Sequence, residues 1–357
     1  MIRRLIALSL CLSLQQFAHG APEIFAQTKH VATVSELNKA LQQANQSGGD
    51  ADIVLADGHY QINQRLRFTG SHIRLRSVSG NPSSVVLRGH GMKKRESGTE
   101  VLVDISGSNI TISGITLERT ANHLIQVRAE DNADNFSLSD CVLRDSYEQL
   151  LKVSSSSEQN APFSDDGLIE NCLFEYSAGI GPQFYIGGID AHRAKNWQVN
   201  SNTFKNIASP GSHVAEHAIH FWRKSENITV KNNTIQNCDR GIGFGLGEDI
   251  ANQTLGGLIE KNVISRANLN HKFGDVGIAL EASPDIQVIN NIIFFETSYP
   301  NAIEYRFAAT NNVIIRDNIT NRAITSRDGG QAVLIANEKA SLFEELQSKI
   351  KYLIEHF

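Results

Sequence analysis

Between Asn109 and Ile324 the chain repeats one short phrase, and this limits the folds open to it more than any other feature. The copies include NITISGITLERT, NFSLSDCVLRDS, NWQVNSNTFKNI, NITVKNNTIQNC and NVIIRDNITNRAI. Each joins two stretches of period-two apolar alternation through Asn, Asp, Ser or Gly, and copies recur roughly every twenty to forty residues. A single unit of this kind cannot bury its apolar face, so the copies must stack as the coils of a solenoid. The pattern predicts an all-β, single-stranded parallel β-helix.

The 357 residues need no second core, because a solenoid lengthens by adding coils, and one domain is expected. A formal charge of -5 without a basic cluster argues against nucleic acid as a partner. No stretch predicts a transmembrane segment, and a monomer is expected.

Residues 1–20 read as a signal peptide: Arg3 and Arg4 precede the short apolar stretch from Leu5 to Leu14, and Ala18-His19-Gly20 forms a small-x-small cleavage site. Export to the periplasm or the exterior follows. The β-helix domain is assigned to 21–338. Thr33 to Glu36 spells a capping box leading into a helix that would plug the front opening. Residues 339–357, with a second capping box at Ser341 to Glu344, predict an amphipathic helix closing the back; a membrane-surface helix is the rival reading. Of the cysteines past the leader, Cys141 and Cys172 share a phrase position with Thr203, Thr234 and Val263 in this alignment, which makes them stacked small core residues, with a disulfide as the alternative. Cys238 is left over.

The opening VATVSELNKALQQANQSGGDADIVLADGHYQIN, followed by Asn-punctuated coils, resembles exported right-handed parallel β-helix proteins of the pectate-lyase-like superfamily, in particular the start of the alginate and chondroitin lyase group. The stretch with GIDAHRAKNW, AEHAIHFW, CDRGIGFGLG and NRAITSRDGG is also similar to a set of bacterial β-helix proteins of no known activity. The resemblance implies a right-handed fold and a carbohydrate-active chain. β-Helices host several chemistries and also adhesins, so the reaction must be argued from the residues.

Aligning the strand after each phrase gives an inward ladder of Ile125, Leu151, Ile189, Ile219, Ile242, Ile278, Ile303 and Ile324. Alternation then turns Gln126, Lys152, Asp190, His220, Gly243, Ala279, Glu304 and Thr325 outward, flanked by His192, Trp222, Gly245, Glu281, Arg306 and Arg327. An exposed sheet usually carries Thr, Ser and Lys, whereas this one concentrates titratable groups. The alternating glycines of RGIGFGLG suggest a trough that would admit a sugar ring beside Trp222, or else relief of crowding under an overlying loop. His217 reads as a structural group, inward or at a coil corner.

These placements nominate His220, His192, Lys152, Arg306 and Arg193 for catalysis, and Asp190, Trp222, Gly243, Gly245, Glu304 and Arg327 for substrate binding. Three histidines with a carboxylate could hold zinc, although a flat sheet seldom closes a tetrahedron. Calcium fits the resemblance better, with Asp239, Asp275 and Glu281 as carboxylate ligands, but the family's ligand pattern cannot be matched position by position. Gly89-His90-Gly91 and Asp165-Asp166 echo a pectin-hydrolase pair in reversed order and are discounted.

The leading expectation is a polysaccharide lyase that cleaves an acidic, uronate-containing polymer by β-elimination. His220 or Lys152 would be the base, His192 or Tyr305 the acid, and Arg193, Arg306 or calcium the carboxylate neutraliser. A C5-epimerase needs nearly the same groups, and a non-catalytic carbohydrate-binding surface protein is the competing class.

Overall fold

The computed structural model describes residues 24–93, 99–158, 160–267, 269 and 271–340. The expected signal peptide lies outside the described residues, as does nearly all of the expected C-terminal helix. At the boundary the assignment shifts: Lys339, placed by the sequence in the helix, belongs to the strand Glu338–Lys339 and pairs with Thr320.

Successive coils add strands to three parallel sheets of 14, 11 and 10 strands. The coil that starts at Gln198–Asn200 continues through Thr203–Lys205 and closes with His217–Trp222. Period-two alternation sends Val199, Phe204, Ile219 and Phe221 into the interior, where all are buried. Like residues meet on adjacent rungs, as Phe174 and Phe204 do with ring centroids 4.7 Å apart. The chain is therefore a parallel β-helix.

The phrase's asparagines have a definite task. The Asn233 side-chain oxygen accepts from the Asn202 amide at 2.9 Å, and Asn262 accepts from Asn233 at 3.0 Å. Asn291, Asn318 and Asn337 extend the row. These buried turns leave amides that no strand partner reaches, and a stacked carboxamide satisfies one rung while bonding to the next. Cys141 and Cys172 stand at the head of this row. The register pairs Leu173 with Thr203, which corrects the expected alignment of Cys172 with Thr203. Cys172 donates its amide to Asn202 at 2.9 Å, and its sulfur takes the Cys141 amide at 3.4 Å, in the place of a carboxamide oxygen. Both cysteines, and Cys238, are free thiols.

At the front, the helix Val34–Gln46 is closed by the expected capping box: Thr33 Oγ1 accepts from the Glu36 amide at 3.2 Å, and Glu36 accepts from the Thr33 amide at 3.0 Å. Leu37, Ala40, Leu41 and Ala44 bury one face against the first coil. No described helix is long and apolar enough to cross a membrane.

The ten-stranded sheet carries the candidate residues, and its register matches the alignment made from sequence. Ile125, Leu151, Ile189, Ile219, Ile242, Ile278, Ile303 and Ile324 are successive partners. The outer row therefore runs Gln126, Lys152, Asp190, His220, Gly243, Ala279, Glu304, Thr325.

Candidate functional site

Neighbouring parallel strands lie about 4.8 Å apart, so outward side chains on consecutive rungs must touch. Lys152, Asp190 and His220 do so on three rungs. The Lys152 ammonium donates to Asp190 Oδ2 and lies 3.0 Å from His192 Nε2. The other Asp190 oxygen accepts from the Trp222 indole at 2.6 Å and faces His220 Nδ1 at 3.8 Å. His192 stands edge-on to Trp222, and His220 stacks parallel to it at 5.7 Å. The row is not open to solvent as alternation alone suggests: Lys152 is 9% exposed, His192 7%, Asp190 2% and His220 1%.

Burial and neighbouring charge set the protonation states. Burial acts to raise Asp190, but the Lys152 ammonium and then His220 and His192 hold its carboxyl well below the usual range. Burial, followed by the Lys152 cation, pushes His192 down to about 3, so its Nε2 is free to accept from Lys152. Burial also opposes a charge on His220. The Glu216 and Asp190 carboxylates and the Gly245 carbonyl outweigh it and raise this imidazole above its ordinary value. His220 Nε2 meets that carbonyl at 3.0 Å. At 1% exposure, between the Glu216 and Asp190 carboxylates, the His220 ring does not reach the surface. The expected general base thus lies beneath Trp222, the most buried member of the row.

Three residues complete the cluster. His123, held at about 4 by burial and by Lys152, bonds through Nδ1 to the Gln149 carbonyl at 3.1 Å. Glu216 places its carboxylate 3.7 Å from His220 Nδ1. Tyr185 is 42% exposed, and burial of its hydroxyl and the charges of Asp190 and Glu216 push it up, so it keeps its proton. Its only sequence signal is an aromatic pair, Phe184-Tyr185, in a Gly-rich stretch that precedes the strand.

The glycine trough is absent. A Cβ on Gly243 would lie 2.7 Å from the His217 imidazole, which folds onto the outer face and covers that strand. His217 and His220 have ring centroids 4.6 Å apart, so His217 is neither inward nor at the corner, and neither of its ring nitrogens has a hydrogen-bond partner among the described residues. Gly241 and Gly245 are packed against neighbouring backbone: their Cβ atoms would meet Gly277 O at 2.2 Å and Glu281 O at 1.8 Å. Gly245 also has φ +76°. Gly243 and Gly245 are thus close-approach positions and not sugar contacts.

Arg193 is held elsewhere. It is 6% exposed, its guanidinium donates to the Ala161 and Pro162 carbonyls, and it stacks on Phe163 at 4.5 Å. Arg306, Glu304 and Arg327 form a second group. Two strands, Arg240–Phe244 and Ile278–Glu281, separate the strand of Glu304 and Arg306 from His217–Trp222, which puts it about 14 Å away, and Arg327 stands one strand further. Glu304, 2% exposed, takes donors from Tyr299 at 2.7 Å, Asn301 at 2.7 Å and Arg327 at 2.8 Å. Arg306 pairs with Glu281 at 2.6 Å and Asp328 at 3.0 Å. Tyr305 faces the core at 7% exposure.

Asp239, Asp275 and Glu281 do not form a calcium site together. Asp239 accepts from the Ser209 and Ala215 amides, Asp275 pairs with Arg240 at 3.1 Å, and Glu281 is held by Arg306 and the Gly247 amide. Among the described residues no group of three His, Cys, Asp or Glu side chains is arranged so as to hold a metal ion.

Comparison with known proteins agrees with the fold. No protein-family model matches the chain, and no curated protein does. Solved structures do match. An alginate lyase from Paenibacillus sp. str. FPU-7 superposes with TM-score 0.61 at 16% identity, covering 87% of this chain and 99% of that one. These neighbours share the fold. PfbA, a surface adhesin of Streptococcus pneumoniae, gives 0.58 at 14% identity, covering 85% and 87% of the two chains. A glycoside hydrolase gives 0.64 at 10%, covering 88% and 94%.

Proposed function

We propose that the chain is an exported protein that cleaves an acidic, uronate-containing polysaccharide by β-elimination at the Lys152, Asp190 and His192 cluster. One observation carries this reading. An ammonium, an ionised carboxylate and a neutral imidazole meet on the outer face of the sheet, where the core of a β-helix has no use for them. β-Elimination requires a cation to draw charge from the uronate carboxylate, a base for the C5 proton and an acid for the departing oxygen. Lys152, ion-paired and therefore charged, supplies the cation. The uronate carboxylate draws the Lys152 ammonium away from His192 Nε2, 3.0 Å distant in the unliganded chain, and so frees that nitrogen to take the C5 proton, while Asp190, 4.0 Å away, stabilises the resulting imidazolium. Substrate charge beside Lys152 offsets the field that depresses His192 and brings the imidazole toward a working range. The C5–H electrons form the C4–C5 double bond, the C4–O4 bond breaks, and O4 takes the proton of Tyr185. Calcium is given no step, because the carboxylates nominated for it do not converge.

An alginate lyase among the structural neighbours makes a uronate polymer the first substrate to try. A non-catalytic recognition face is the second reading, favoured by an arrangement in which Tyr185 is 42% exposed while Lys152 and His192 are nearly buried. Purified protein incubated with alginate, pectate and chondroitin sulfate separates the two. The lyase generates the ultraviolet absorbance of an unsaturated uronate and loses it on His192→Ala. Binding to a polymer without that absorbance supports the recognition face and rejects the lyase.

A further inference from the structure

At the end of the site strands, where the chain turns toward the 14-stranded sheet, a pocket of about 480 Å³ opens beside the cluster. Arg193, Arg223 and Lys224 line it, facing Ser156, Glu158 and Asp249. The backbone explains the basic rim. This corner needs a left-handed residue on coil after coil: Arg193 has φ +47°, Arg223 +54°, Ala282 +47°, Phe307 +67° and Asp328 +53°. Most other described non-glycine residues in that conformation are Asn or Asp, which adopt it readily, whereas two basic residues in succession, Arg223 and Lys224 (φ +64°), are a costly choice.

Their charges are also uncommitted. Arg193 is occupied by the 161–163 segment, but among the described residues neither the Arg223 guanidinium nor the Lys224 ammonium has a hydrogen-bond or ion-pair partner, although both are half-buried. Against Glu158 and Asp249, the three basic side chains leave the pocket formally positive by one charge, opposite in sign to the chain's -5. The pocket adjoins the cluster closely enough for the Arg223 charge to act on His192.

We infer that the pocket lined by Arg223 and Lys224 is an anionic-sugar subsite, which holds the carboxylate or sulfate of a polymer unit flanking the one at His192. The inference rests on the proposed polysaccharide function and names the feature of the polymer that is read. A guanidinium and an ammonium side by side suit this task, the first as a fork for a planar carboxylate and the second as a point charge. The polymer would cross the strand ends at Trp222 and continue over the turn.

The test is isothermal titration of the intact protein with hexasaccharides of alginate, pectate and chondroitin sulfate, with cellohexaose as the neutral probe. Arg223→Asn with Lys224→Asn removes both charges and keeps residues that accept the left-handed backbone; Arg223→Glu serves if that pair fails to fold. At least one anionic hexasaccharide should bind the parent in preference to cellohexaose. The double variant should lose roughly tenfold or more in affinity, and the parent's affinity should fall with added salt. Equal affinity in parent and folded variants overturns the inference, as does failure of every anionic probe to bind. Binding that depends on Arg223 and Lys224 without any unsaturated product keeps the subsite and rejects only the proposed lyase reaction.

Discussion

The His217 imidazole lies on Gly243 so closely that a Cβ there would stand 2.7 Å from the ring. The absence of a side chain at 243 makes room for a protein group and not for a ligand. Gly243→Ala should cost about 1–3 kcal/mol from overpacking. His217→Ala in the same chain should recover part of that loss. A urea-denaturation cycle over the two sites measures the coupling, and additive effects would show that the ring does not fill the space.

The buried ion pair gives a second expectation. Lys152→Met leaves the Asp190 carboxylate with the Trp222 indole and no direct cation, and Asp190→Leu strands the Lys152 ammonium. Each single change should cost about 3–5 kcal/mol, whereas the double change should lie nearer the parent. Chemical denaturation checks the order. Single losses below those of ordinary surface substitutions would contradict the burial of this pair.

Acid should weaken the fold through the neutral histidines. His192 and His123 have an ordinary value of 6.5 and folded values of about 3 and about 4, so between these limits the unfolded chain binds protons that the native chain refuses. Stability therefore rises with pH across that window, by up to about 1.4 kcal/mol per pH unit for each group. His220, raised in the fold, has the opposite sign: its contribution is present below 6.5 and is lost as pH rises through its folded value. Urea midpoints measured from pH 6.5 down to about 4 should fall in the parent and fall less in His192→Gln. Identical slopes would mean that His192 is not held neutral.

The asparagine row can be lengthened. Cys172 already receives the Cys141 amide and donates to Asn202, so Cys172→Asn places a carboxamide where the ladder calls for one. The change should be neutral or stabilising by about 1 kcal/mol, the value of one added hydrogen bond. Asn233→Ala should destabilise by about 1–3 kcal/mol, since the buried Asn202 amide loses its acceptor. Thermal melting distinguishes these directions, and a strongly destabilised Cys172→Asn would refute the assignment of Cys172 to the row.

The register of the site sheet was legible because its inward ladder is unbroken apolar from Ile125 to Ile324, and a one-residue slip would expose every member. Lys152, Asp190 and His220 therefore came out adjacent from sequence alone. Alternation says which face a side chain leaves by, but not what then covers it. The cover over this row depends on Trp222 folding back to Asp190 and on His217 crossing to the outer face, which are rotamer choices without a period. Cys172 was misplaced by one residue because Cys and Thr are alike in size, whereas the row is defined by an acceptor at that position. Arg223 and Tyr185 lie in turns, where no alternation marks a functional side chain.

In the proposed reaction His192, held neutral beside Lys152, removes a uronate proton. The most direct measurement is the ultraviolet absorbance of unsaturated uronate produced from alginate, pectate and chondroitin sulfate by the parent, by His192→Ala and by Arg306→Ala. The parent should give product from at least one polymer. His192→Ala should lower that rate by roughly a hundredfold or more, the usual share of a general base. Arg306→Ala, in the separate group beyond the glycine strand, should stay close to the parent. Product formation that survives in His192→Ala and disappears in Arg306→Ala would place the chemistry at Glu281, Glu304 and Arg306 and contradict the assignment made here.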